Sequence, residues 1–187
     1  AGGRPLDADA FPEQVWQVCA HFDGTLPDDH PFKRVRVQPE VATAPEVWLL
    51  GSSDYSGALA AQLGLPFSFA HFINPQGGDA VSRSYRQSFS PGREKQPRSM
   101  VCTFLICAET DDEAERLAAS IDLRRLHMAL NLDTPVPTLE EAAKHRYSQE
   151  ERRYVMGQRP RAIIGGPDSC RDAVQAMAER YAADEVM

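Results

Sequence analysis

The chain has 187 residues, of which 42% are hydrophobic and 25% charged, and a net charge of −7. That length supports an ordinary core, and the acidic balance argues against a nucleic-acid partner, which would need a basic stripe to displace counterions from phosphates. No apolar run approaches the roughly 20 residues that span a bilayer, so no membrane partner is expected.

Residues 1–10 are polar and acidic and lack the pattern of a signal peptide. Residues 11–22 follow as a short amphipathic helix, with Val15, Trp16, Val18 and Cys19 near one face. A loop rich in Asp, Pro and His covers 23–32, and the alternation of Val35, Arg36 and Val37 predicts a small surface strand. The compact run Val47-Trp48-Leu49-Leu50 ends at Gly51-Ser52-Ser53 and reads as a buried strand. A helix is predicted over 56–63, stopped by Gly64 and Pro66, and a strand over 67–70. A helix with an arginine face (Arg83, Arg86) covers 79–89. The clearest strand covers 100–108. Thr110-Asp111-Asp112-Glu113 has the form of a capping box opening a helix that runs to Leu130, and Thr138-Leu139-Glu140-Glu141 repeats the pattern. Arg152, Arg153, Arg159 and Arg161 sit beside Glu150 and Glu151 and read as solvated surface. Ala162-Ile163-Ile164 is a short extended piece, 168–182 an amphipathic helix, and 185–187 the start of a buried strand.

Strands alternate with helices, which predicts βα units and a largely parallel sheet. Four strand positions, 47–50, 67–70, 100–108 and 185–187, are half of the eight in a (β/α)8 barrel. The whole chain, 1–187, is read as one domain. The cysteines Cys19, Cys102, Cys107 and Cys170 form no CxxC pair and read as free thiols in a reducing cytoplasm. The scattered histidines supply no clustered metal ligands, so no metal is expected.

The segment richest in chemistry runs from the strand at 47–50 through Gly51, Ser52 and Ser53 into a helix. A helix start carries unpaired amides and the positive end of its dipole, which together favour an anion such as phosphate. Ser53 and Ser56 are spaced to face one anion. On the residues alone two readings stand: an anion site, or serines that simply cap the helix.

The sequence 45–56, Pro-Glu-Val-Trp-Leu-Leu-Gly-Ser-Ser-Asp-Tyr-Ser, followed by Leu59-Ala60-Ala61-Gln62-Leu63-Gly64-Leu65-Pro66-Phe67, resembles the luciferase-like flavin-dependent monooxygenases. The likeness continues through Phe69-Ala70-His71-Phe72 and 85–91 and resumes at 164–167 and 183–187; 1–44 match loosely. The resemblance implies the C-terminal half of a (β/α)8 barrel, about four βα units, with 47–50 as its fifth strand. It implies reduced FMN bound at the C-terminal strand ends, with Ser53 and Ser56 as phosphate ligands and Ser52 and Gly51 beside them. His71, just past the sixth strand, would lie near the flavin ring, or be a loop histidine with no chemistry. Tyr85 and Arg86 read as packing and surface features, and Gly165-Gly166 as a connection. Oxygen would oxidise a small organic substrate, a separate flavin reductase would supply the reduced cofactor, and the protein would be a homodimer in the cytoplasm. Catalytic residues would lie on strands preceding this chain and stay unknown. Two alternatives remain: a deazaflavin-dependent oxidoreductase of the same superfamily, and a non-catalytic flavin-binding or dimerising half-barrel.

Overall fold

The computed structural model describes residues 8–39 and 41–187. The polar leading segment read above therefore lies, over residues 1–7, outside the described part.

Four parallel strands form the main sheet: β1 (Leu49–Gly51), β2 (Phe67–Ala70), β3 (Ser99–Cys102) and β6 (Glu185–Val186), in the order β1-β2-β3-β6. Each predicted strand position contributes one of them. α1 (Phe11–Asp23) precedes the sheet, α2 (Asp54–Leu63) joins β1 to β2, and α3 (Gly78–Ser88) joins β2 to β3. Between β3 and β6 lie β4 (Phe104–Cys107), α4 (Asp111–Ala129), α5 (Leu139–Lys144), α6 (Gln149–Gln158), β5 (Ala162–Gly165) and α7 (Pro167–Tyr181). Parallel strands in sequence order, with helices between them, are the expected half of a (β/α)8 barrel.

Alternation along β2 sorts its side chains. Phe67 and Phe69 are fully buried and meet Tyr85 of α3 and Tyr181 of α7, with ring centroids 5.4 and 5.6 Å apart. They join Leu49, Leu59, Leu65 and Val101 in the main core, between the sheet and its helices. Ser68 and Ala70 point to the opposite face, where the Ser68 hydroxyl lies 3.0 Å from the Cys102 thiol. Two local devices fix α2: Ser53 caps its start, and Gly64 ends it at φ 61. A side chain at Gly64 would also strike the backbone of Gly92, at 2.4 Å. A second cluster, Leu123, Leu126, Ala142 and Val155, holds α4, α5 and α6 together.

Several expectations need correction. The predicted strand at 35–37 is irregular and exposed, and its first amide is already taken by a local turn: Val35 N–H donates to Phe32 O at 2.9 Å. The predicted strand over 100–108 is two strands. β3 pairs with β2 and β6, whereas β4 pairs with β5 in a separate two-stranded sheet. The change of partner falls at Thr103, whose N–H donates to Met187 O at 2.9 Å. Ala162-Ile163-Ile164 is thus a paired strand. At α4, Thr110 accepts the Glu113 amide, but Glu113 turns to Arg116, so the box there is half formed. The box at Thr138 is complete. The arginine-bearing surface run includes a helix, α6, opened by a complete box of Ser148 and Glu151.

Candidate cofactor-phosphate site

β1 delivers the serine turn to the C-terminal end of the sheet. Gly51 closes β1, Ser52 turns the chain, and Ser53 is the N-cap of α2. Ser53 and Ser56 form a capping box in which the Ser53 Oγ accepts the Ser56 amide at 3.4 Å. The Ser56 Oγ donates to Ser53 O at 2.8 Å and lies 3.4 Å from both the Ser53 amide and the Ser53 Oγ. The two hydroxyls are therefore neighbours at a helix start, as their spacing predicts. Ser56 is buried and Ser53 exposed. Capping and anion binding are compatible here, because an accepting hydroxyl oxygen leaves the Ser53 hydrogen free to donate.

Gly51 makes this arrangement possible. A Cβ at that position would lie 2.1 Å from the Ser56 Oγ and 2.3 Å from its Cβ. The glycine is the space that the Ser56 side chain fills. Asp54 works the other way: its carboxylate accepts the Tyr55 amide at 2.8 Å at the same helix start. An anion bound there would share the first turn with that charge.

His71 stands apart from the serine turn. Its ring is buried, with Nε2 2.7 Å from Pro160 O and Nδ1 2.7 Å from the Tyr181 hydroxyl. A carbonyl only accepts, so Nε2 carries the proton and donates to it. In the neutral ring Nδ1 then accepts from Tyr181. Burial pushes the His71 pKa down; the Pro160 bond opposes this and the Arg180 charge adds to it, consistent with a neutral ring. Both ring nitrogens are thus held by protein groups. Tyr181 and Pro160, which hold His71, and Asn74, whose Nδ2 faces Ser52 O at 3.5 Å, are residues that the sequence reading missed. Asn74-Pro75 is a turn signal in sequence, but nothing local points to the other two.

The second glycine turn, Gly165-Gly166, is already filled. Asp111 Oδ1 accepts the Gly166 amide at 2.6 Å and Oδ2 accepts the Ser169 hydroxyl at 3.2 Å. The Gly166 amide, foremost, holds the Asp111 carboxyl below its usual value. This carboxylate occupies the helix start where an anion would go, in keeping with the structural reading of that turn. Tyr85 is likewise structural: its hydroxyl donates toward Leu65 O and Arg98 O, at 2.9 and 3.0 Å. Among the described residues no group of His, Cys, Asp or Glu side chains could hold a metal ion, and no helix is long and apolar enough to cross a membrane.

Comparison with known proteins agrees with this architecture. The family described as luciferase-like monooxygenase matches residues 14–184. The protein YceB of Bacillus subtilis is 37% identical over 95% of this chain and 54% of its own length. A luciferase-like monooxygenase of Escherichia coli is 34% identical over 97% of this chain and 53% of its own. The crystal structure of apo-MsnO8 superposes with a TM-score of 0.77 at 31% identity, covering 96% of this chain and 54% of that one. The chain thus spans about half the length of these relatives. With the parallel half-barrel and its match across nearly the whole described sequence, the chain belongs to the luciferase-like monooxygenase family.

Proposed function

We propose that this chain carries the phosphate-binding part of the FMN site of a flavin-dependent monooxygenase acting on a small organic substrate. The observation that supports it is the convergence of the Ser53 and Ser56 hydroxyls with the start of α2 at the C-terminal end of β1, in a chain of this family. Reduced FMN supplies the reaction with oxygen; the protein binds, orients and shields it. Ser53, whose oxygen accepts the Ser56 amide, would donate its hydroxyl proton to a phosphate oxygen. Ser56 would turn its proton from Ser53 O to the same group, with Ser52 beside it and the positive end of the α2 dipole facing the anion. Gly51 lets Ser56 come close enough to take part. His71 shapes the end of β2, near which the flavin ring would lie, and both its ring nitrogens are engaged by protein groups. A separate reductase supplies the reduced cofactor, and the working protein is a cytoplasmic homodimer.

Fluorescence titration with FMN tests the site. The chain should quench FMN saturably, and Ser53→Ala with Ser56→Ala should weaken binding about tenfold or more, since two hydrogen bonds to a charged group are lost. Equal binding by both forms would remove the two serines from the site.

A further inference from the structure

We infer that Asn74 is a positioning residue that fixes the phosphate turn, with His71 as its anchor; this rests on the phosphate reading of that turn. β1 and β2 are neighbours, with Gly51 opposite Phe69. The chains leaving them run side by side at the end of the sheet. The one leaving β2 is tied down at each step. His71 is clamped through both ring nitrogens. Phe72 N–H donates to Cys102 O at 3.2 Å, and the amides of Ile73 and Asn74 donate to Ala70 O at 3.0 and 3.2 Å.

Asn74 turns that rigidity toward the serines. Its Oδ1 accepts the Gln76 amide at 3.1 Å, which orients the side-chain amide. Its Nδ2 points at Ser52 O from 3.5 Å, a long, weak contact beyond the usual range of about 2.7–3.2 Å. Ser52 O belongs to the same planar peptide as the Ser53 amide. In a trans peptide the C=O and N–H point opposite ways, and here the N–H faces Ser56 Oγ at 3.4 Å. Holding Ser52 O toward Asn74 therefore holds the Ser53 amide toward Ser56, and with it the spacing of the two hydroxyls. A donor set fixed before the ligand arrives loses less freedom on binding.

The test is Asn74→Ser. A serine hydroxyl can still accept the Gln76 amide in the local turn but is too short to reach Ser52, and the change adds no charge. The readout is the preference for FMN over riboflavin, which differ only in the phosphate. Asn74→Ser should reduce that preference about twofold, the low end of what one hydrogen bond contributes, with riboflavin affinity unchanged. In the unliganded chain, amide exchange of Ser53 and Ser56 should quicken. An unchanged preference, or an equal loss of both ligands, would overturn the assignment, the second outcome marking a general structural role. Ser53→Ala with Ser56→Ala is the control. If it leaves the preference intact, the phosphate reading itself fails; if it abolishes the preference while Asn74→Ser does not, only the role of Asn74 fails.

Discussion

His71 shows how much a single buried side chain can be asked to do. It joins the end of β2 to the last residue of α7 and to the turn before β5. Burial lowers its pKa in the fold, whereas an unfolded histidine titrates near 6.5. As pH falls, the unfolded chain takes up this proton first. Stability from neutral His71 is therefore complete above about 6.5 and declines as pH drops toward the folded value. Protonation also removes the Nδ1 lone pair that accepts from Tyr181. The urea midpoint should fall between pH 7.5 and pH 5.5, and His71→Gln should flatten that slope while lowering stability overall. A slope that survives the substitution would place its source at another group.

At the scale of elements, the join of β1 to α2 is the tightest. The Ser56 Cβ is fixed by the helix backbone, so it cannot swing away from a methyl group placed at Gly51. Gly51→Ala must push the first turn of α2 off the strand. We expect a loss of about 1–3 kcal/mol, typical of overpacking, in urea unfolding, and a weaker preference for FMN over riboflavin. Retained stability with retained preference would mean that the turn has slack it does not show. This join was legible in the sequence because its signals are local: an apolar run, a glycine and two serines within ten residues. The four sheet strands were legible for the same reason. The break at Thr103 was not, since β3 and β4 form one apolar stretch in sequence and differ in partners and burial, neither of which local pattern encodes. α6 was passed over as charged surface although Ser148-Gln149-Glu150-Glu151 carries a capping signal. The partners of His71 and the contact from Asn74 to Ser52 were hidden by distance, with separations of 110, 89 and 22 residues. Periodicity says nothing about pairs that far apart.

At the scale of the whole molecule, the sheet is closed at its centre and open at its outer strands: on the face away from the helices, Ser68, Ala70, Met100 and Cys102 are buried. α2, α3 and α7 cover the face bearing Phe67, Phe69 and Val101. Buried parallel sheets are normally covered on both faces. Here Leu50 in β1 is 54% exposed and Met187, just past β6, is 71% exposed. Among the described residues, β1 and β6 each have a single strand neighbour, and unpaired strand edges with apolar side chains recruit other chains. In the relatives, roughly as much chain again is present, enough to close such a sheet. By itself this chain should therefore self-associate, with a weight-average mass in sedimentation that rises with concentration. Leu50→Lys places a charge on the β1 edge and should shift the distribution toward monomer, while thermal melting checks that the fold is kept. A mass that stays monomeric at all concentrations would mean that these edges are protected by their own shape. A discrete dimer indifferent to Leu50→Lys would place the contact away from β1, on the second exposed apolar strand, where Phe104 and Leu105 are each about half exposed.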